Sequence, residues 1–229
     1  MAVSTTQQAV AGIEKYIRTH GLREGDALPS ETTLCDELEC SRSSVREAMR
    51  TLQSLDIVHI RRGQGTFISK MSMSPLVRGM VLRLTLDPRN AGENLLEVVA
   101  TREAIESALA AELIDKHTSA SIEDMLITVE QMRSSYENRG HFTREDRLFH
   151  RQLLAPTSNK LMRELSDALW QIHDRTVPML SLDISSDYAR TIESHAVMVK
   201  AVAARDVEAF KTAVHHHYIP LREAVAKLN

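Results

Sequence analysis

A chain of 229 residues accommodates one large domain or two small ones, and a hydrophobic content of 43% is enough to bury a full core. Aromatic residues make up only 4%, which disfavours an aromatic-rich sheet and favours helices packed through Leu, Val, Ala and Met. The formal net charge of −3 excludes a globally basic protein, so any contact with a polyanion must come from a local patch.

The N-terminal stretch MAVSTTQQAVAGIEKYIRTH lacks the apolar core of a secretory signal, and no apolar run approaches the ~20 residues that span a bilayer. Cys35 and Cys40 are the only cysteines and read as free thiols. Together these features predict a cytoplasmic protein with no membrane partner. Residues 7–18 place Val10, Ile13 and Ile17 on one face of a short helix. GLREGDALPS is a turn-rich connector. Ser30 can cap the next helix, with Glu31 favourable in its first turn, and that helix ends near Leu38. The turn Glu39-Cys40-Ser41 follows, and Ser41 can cap a second helix. There Val45, Ala48, Met49, Leu52 and Leu55 form a buried stripe. Arg42, Arg46 and Arg50 recur every four residues on another face. Residues 57–61 and 66–69 read as strands joined by Arg62-Gly63-Gln64-Gly65, whose glycines permit a tight turn.

This order of elements is the layout of a winged helix-turn-helix. Residues 42–62 carry five arginines against Glu47 and Asp56, while the remainder of the chain is net acidic. A basic helix of this width fits the major groove, where the N-terminal part meets base edges and Arg can read guanine with two hydrogen bonds. Ser43 and Ser44 are short donors within reach of phosphate or bases. Arg50, one turn further on, is a phosphate contact or a solvated charge. The tip Arg62, Gly63 and Gln64 can enter the neighbouring minor groove. A solvated basic helix face would show the same arginine spacing; the hairpin with its glycine-bracketed basic tip is what points to double-stranded DNA.

SKMSMSP, residues 69–75, is a break in composition. The predicted organisation is a DNA-binding domain over 1–70, a linker over 71–75, and an all-helical effector-binding and dimerisation domain over 76–229. The fold class is mainly α. In the second domain, helices are predicted at 76–86, 94–116, 119–139, 142–155, 159–180, 185–204 and 206–227, a bundle of six or seven. The breaks fall at Asp87-Pro88, Thr118-Ser119, Gly140, residues 156–158, Asp183 and Arg205-Asp206, and Pro178 kinks or ends its helix.

Asp146 and His150 stand four residues apart on one helix, so their side chains point the same way. His195 shares a face with Ile192, Val199 and Val202, and His217 with Val214 and Leu221. Each histidine taken alone reads more readily as a hydrogen-bonded core residue than as a ligand. His215 and His216 offer a competing surface triplet with His217, but they project about 200° and 100° away from it. Arg102 can clamp a carboxylate through two hydrogen bonds. His173 and Arg175 lie on a helix expected to border a cavity, with a surface charge as the alternative for Arg175.

The chain resembles the GntR family of bacterial transcription regulators, in its FadR-like branch with an FCD effector domain. In the first domain the resemblance rests on Gly25-Asp26, Leu28-Pro29-Ser30-Glu31, Ser41-Arg42, Val45-Arg46-Glu47-Ala48 and Arg62-Gly63-Gln64-Gly65-Thr66-Phe67. In the second it rests on Arg102, Glu106, Asp146-Arg147-Leu148-Phe149-His150, Asn159, His195, Asp206 and His217. It covers the chain from about residue 8. The chain departs from the pattern at Thr32, where the family usually has an Arg that contacts DNA, and at Glu39, where it tends to place Gly.

The resemblance implies base reading by Arg42 and base or phosphate contact by Arg46. It implies a homodimer on an inverted-repeat operator, acting more as repressor than activator, and no enzymatic activity. It also makes Asp146, His150, His195 and His217 the ligands of a divalent transition ion. That donor set suits Zn²⁺, with Ni²⁺ or Mn²⁺ as alternatives. The implied effector is a small hydroxy or keto acid such as lactate, glycolate, citrate or a sugar acid, held near Arg102 and Asn159, though Asn159 also suits a helix cap. A metal-free regulator responding to acyl-CoA, and a metallohydrolase, are the alternatives to this function.

Overall fold

Ser4 starts the first helix earlier than its apolar periodicity suggests. In the computed structural model, which describes residues 4–87, 89–180, 182 and 187–227, Ser4 and Gln7 form a reciprocal capping box that opens α1 (Thr5–Thr19). Ala9, Ile13 and Ile17 are its buried face. Ser30 caps α2 (Glu31–Leu38) by accepting from Thr33 N at 3.1 Å. Ser41 caps α3 (Arg42–Ser54) by accepting from Ser44 N at 3.1 Å. Val45, Ala48, Met49 and Leu52 of α3 pack with α1 and Leu34 into one core. Leu55 does not join that stripe: it follows the last turn of α3 and is 47% exposed.

The strands β1 (Val58–Arg61) and β2 (Gly65–Ile68) pair antiparallel, Val58 opposite Ile68 and Arg61 opposite Gly65. Gly63 and Gly65 have φ of 74° and 112°, so the wing turn draws on glycine's freedom at both. The connector read as plain turn does more than link. Gly25 N donates to Ile68 O, Ile68 N to Asp26 O and Leu28 N to Thr66 O, so it is held along β2 through a single antiparallel bridge, Ala27 opposite Phe67. The segment after β2 is also tied down: Ser69 Oγ donates to Asp56 O, and Ser72 N donates to Asp56 Oδ2 at 2.9 Å.

The chain divides into two units, Met1–Pro75 and Leu76–Asn229. From the boundary onward run α4 (Ser74–Thr85), α5 (Ala91–Lys116), α6 (Ser119–Arg139), α7 (Thr143–Leu154), α8 (Lys160–Thr176), α9 (Tyr188–Ala203), α10 (Val207–His217) and α11 (Ile219–Ala226). With 26 residues α5 is the longest, about 39 Å at 1.5 Å per residue. It packs against α7, α8, α9, α10 and α11, which makes it the axis of the second unit.

Two predicted helices are revised. The helix expected over 159–180 ends at Thr176 and continues as a 3-10 turn, Val177–Leu180, because Pro178 offers no N–H. The one expected over 206–227 breaks between α10 and α11, with Pro220 in the first turn of the second piece. α4 also starts inside the expected linker, at Ser74. The breaks placed at Pro88 and Asp183, and the predicted start of a helix at residue 185, lie outside the described residues.

Glu39 caps α2 in the left-handed conformation, φ 50° and ψ 37°. Its N–H and that of Cys40 both bond to Cys35 O, closing the helix end. A side chain with a Cβ is strained there, and Glu39 is exposed, with no packing to offset the strain. Glu39→Gly should therefore stabilise the first unit by about 0.5–1 kcal/mol. The readout is the chemical-unfolding midpoint, and a lowered midpoint would contradict the strain.

Candidate metal centre and nucleic-acid interface

Three helices bring the four predicted ligands of the second unit together. Asp146 and His150 come from α7, His195 from α9 and His217 from the last turn of α10. The three histidines are buried and offer ring nitrogens that all lie within 4.8 Å of one another. Asp146 Oδ1 stands 3.2 Å from His195 Nε2.

The surrounding hydrogen bonds determine which nitrogens face the centre. His195 Nδ1 lies 2.9 Å from the carbonyl of Thr191, which can only accept, so Nδ1 carries the proton and Nε2 is a bare lone pair. Ser194 Oγ donates to Thr191 O at 2.6 Å and so spends its one proton there. It must then accept from His217 Nδ1, 2.9 Å away, which leaves His217 Nε2 bare as well. His150 Nδ1 is 2.9 Å from Glu106 Oε1, close enough for an ion pair though not aligned as a hydrogen bond. Its Nε2 and that of His195 have no hydrogen-bond partner at all.

Burial pushes the imidazoles of His195 and His217 below their ordinary value, His217 far below, which keeps both neutral. Burial alone would raise Asp146, yet its carboxyl lies well below the usual range and is anionic. An anionic oxygen and bare nitrogen lone pairs thus face one another with no proton between them. A divalent cation relieves that arrangement, and the donor set of one carboxylate and three imidazoles fits such an ion.

Beside this centre lies a cavity of about 190 Å³, lined among others by Arg102, Asp146, Trp170, His173 and His217. Arg102, on α5, is 1% exposed. Its Nη1 donates to His173 Nδ1 at 2.8 Å, while its Nε and Nη2 are buried without a partner. Burial and the Arg102 charge push His173 down to about 3, so it stays neutral and accepts from Arg102. Burial and the Asp146 charge push Asp174, which lines the same cavity, upward.

Two predicted effector residues are not brought to this cavity. Asn159 caps α8, accepting from Met162 N at 3.1 Å, and does not line the cavity, so its carbonyl is spent on the helix start. Arg175 is exposed and likewise absent from the lining; two positions past His173 it has rotated to the outer face of α8. Conversely, the sequence reading gave no role to Trp170, whose Nε1 donates to Asp146 Oδ2 at 2.5 Å, or to Tyr218, whose hydroxyl donates to Glu106 Oε2 at 3.1 Å. A signal existed for Glu106, which stands one helical turn after Arg102. None existed for Ser194.

In the first unit, Arg42, Ser43, Arg46 and Arg50 are exposed on α3, and Arg62, Gly63 and Gln64 are exposed at the wing tip. Arg46 pairs with Glu31 at 3.3 Å and Arg50 with Glu47 at 3.2 Å. Both pairs are solvent-exposed and worth at most about 1 kcal/mol, little hindrance to a phosphate. Ser44, by contrast, is turned inward: it is 7% exposed and its Oγ bonds Ser41 Oγ at 2.9 Å. Ser43 Oγ also bonds Ser41 Oγ but stays at the surface. Among the described residues, no helix is long and apolar enough to cross a membrane.

The second unit matches the FCD domain over residues 97–219, and the first matches the bacterial regulatory proteins of the gntR family over residues 5–68. The chain is 26% identical over 225 residues to the uncharacterized HTH-type transcriptional regulator YcbG of Bacillus subtilis, a match covering 96% of this chain and 90% of that protein. It is 22% identical over 213 residues to the galactonate operon transcriptional repressor of Escherichia coli, covering 93% of each. The fold is similar to that of the Streptococcus agalactiae GntR structure, with a TM-score of 0.65 at 22% identity over 95% of this chain and 99% of that one. With its reading head and its helical bundle each matched in this way, the chain belongs to the GntR family of bacterial regulatory proteins, in the form that carries an FCD domain, and is a transcriptional regulator rather than an enzyme.

Proposed function

We propose that the chain is a cytoplasmic, homodimeric repressor whose grip on an inverted-repeat operator is modulated by a small carboxylate bound beside a divalent metal ion. The observation that carries this reading is the set of bare, buried imidazole nitrogens converging on one point next to Asp146. In it Asp146, His150, His195 and His217 hold the ion, most suitably Zn²⁺. A bound ion supplies a Lewis-acidic point for an oxygen ligand. The unpartnered Nε and Nη2 of Arg102 supply the donors for the carboxylate.

Relatives support the effector class and the sign of regulation: one is named as the repressor of a galactonate operon, and galactonate is a hydroxylated carboxylate. A retained donor set and a cavity of only about 190 Å³ favour this reading over a metal-free acyl-CoA regulator. In the first unit, α3 enters the major groove with Arg42 and Arg46 towards base edges and Ser43 and Arg50 towards phosphates. The tip Arg62, Gly63 and Gln64 reaches the minor groove. A two-fold protein on a two-fold operator follows from the symmetry of the pair.

Arg42→Ala and Arg46→Ala should each weaken specific operator binding by about 1–3 kcal/mol with the fold intact. Ser44→Ala should instead act on stability, through the loss of its bond to Ser41. Gel-shift titration together with thermal melting separates the two effects. Full affinity in both arginine variants would remove α3 as the reading helix.

His195→Ala and His217→Ala should lower metal content and abolish the carboxylate response while leaving ligand-free operator binding in place. His215→Ala is the control, because His215 is 57% exposed and paired with Glu103. Metal per chain, measured on purified variants, is the readout; loss in the His215 variant with retention in the His217 variant would move the site to the surface.

Acidification should weaken both the metal and the apo bundle. Below the ordinary imidazole value of 6.5 the unfolded chain binds protons that the depressed His195 and His217 refuse, so stability is present above that pH and falls beneath it. Protons also compete with the ion for the same nitrogens. Melting curves from pH 8 to about 5, with metal and with chelator, should converge at the acid end. A chelator effect that grows on acidification would contradict imidazole ligation.

A further inference from the structure

We propose that the cavity beside the metal centre selects acids with a single carboxylate and a hydroxylated tail, and rejects those carrying a second carboxylate, with Asp174 and Asp187 as the discriminating residues. This rests on the reading above, that a carboxylate binds beside the ion.

The charges lining the cavity are unequal in number and in depth. Among the described residues, Arg102 is the only arginine or lysine in the lining, against the carboxylates of Asp146, Asp174 and Asp187. Asp146 is committed to the ion. Arg102 is 1% exposed, while Asp174 and Asp187 are half-buried. Positive charge therefore sits deep and negative charge sits towards the opening.

An acid that places its carboxylate on the ion and on the free Nε and Nη2 of Arg102 has to run its tail out past Asp174 and Asp187. Hydroxyl groups can donate to those carboxylates. A second carboxylate has no proton to give and meets like charge in a partly desolvated place. The cations nearest these aspartates lie outside the lining: Arg190 stands 4.0 Å from Asp187, and the charges of Arg175 and Arg147 reach Asp174 from beyond it. Phe142, Val177 and Leu221 complete an apolar wall that cannot solvate an extra charge. A cavity of about 190 Å³, below the ~300 Å³ where drug-sized sites begin, leaves little room to turn the tail away. Repulsion of the wrong ligand, rather than extra attraction for the right one, is then the source of selectivity.

Matched acids test this without knowledge of the natural effector. Threonate and tartrate differ only at the far carbon, a hydroxymethyl group in one and a carboxylate in the other; gluconate and glucarate form a longer pair of the same kind. Titration calorimetry on the full-length, zinc-saturated protein near neutral pH should give at least tenfold tighter binding of the monoacid in the pair that binds. Asp174→Asn should cut that ratio at least fivefold by strengthening the diacid, and Asp187→Asn should act in the same direction from the other position. A wild-type protein that takes the diacid as tightly as the monoacid overturns the selectivity. If both acids also lose binding in Arg102→Ala, the carboxylate site itself still stands. Ratios unchanged in both aspartate variants overturn the assignment of Asp174 and Asp187. Failure of every monoacid and diacid to bind overturns the selectivity together with the reading it rests on.

Discussion

The second unit is organised around a desolvation problem. Three buried imidazoles present bare nitrogens to one another and to the Asp146 carboxylate, in a setting where burial keeps His195 and His217 from protonating. Each buried polar atom left without a partner costs about 1–3 kcal/mol. The bundle tolerates this because the outer nitrogens are fixed. Thr191 O and the Ser194 hydroxyl pin the tautomers of His195 and His217, and Trp170 pins the far oxygen of Asp146. Stability is thereby invested in a pre-organised donor set rather than in apolar packing.

The same network explains the arrangement around Arg102. An arginine that is 1% exposed is expensive to bury, and its guanidinium is only partly satisfied, by His173 at one nitrogen and by the face of Tyr218 at 5.2 Å. Glu106 lies one turn along α5 and is fully buried. Burial would raise it, but His150 and Arg102 hold it below its ordinary value, so it balances part of the arginine's charge. A single helix thus carries both Glu106, which borders the histidine cluster, and Arg102, whose Nε and Nη2 are left without a partner. The first unit shows the opposite economy. Its cations are exposed and weakly paired, Arg46 with Glu31 and Arg50 with Glu47, and its left-handed non-glycine positions fall at Glu39, Asp56 and Met71.

Much of this was legible in the sequence, because it depends on periodicity and caps. The stripe Val45, Ala48, Met49 and Leu52 marked α3, Ser30 and Ser41 marked helix starts, and Gly63 marked the wing turn. The inward faces of His195 and His217 followed from their apolar neighbours, and the outward faces of His215 and His216 from a 100° rotation per residue. What stayed hidden depends on partners distant along the chain. That Gly25 to Leu28 line β2 is a pairing across about forty residues, which turn residues alone do not disclose. Ser44 looked like a phosphate donor because its type suits one, yet its place just after the cap turns it inward against Ser41. Arg175 looked like a pocket residue because His173 is one, yet two positions on a helix separate inside from outside. Asn159 fits a cap from its local sequence, and the structure gives it that use.

Coupling between effector and operator needs a ligand that binds two states of the protein unequally; tight binding alone shifts nothing. The helix ends around the cavity are where such a difference can arise. His217 is the last residue of α10, Tyr218 occupies the break, and Pro220 and Leu221 of α11 line the cavity directly. An ion held by His217, as proposed, would fix the end of α10. A carboxylate at Arg102 bears on Tyr218 and Glu106 as well, since both touch the arginine's surroundings. If the proposed ion and carboxylate both bind, the junction between α10 and α11 is where they meet, whereas Ala224 and Val225 further along α11 are buried away from the cavity lining. An effector that straightens or closes this junction differs in free energy between the two arrangements by whatever contacts it gains there, and a gap of about 1–3 kcal/mol is sufficient for the coupling seen in allosteric proteins.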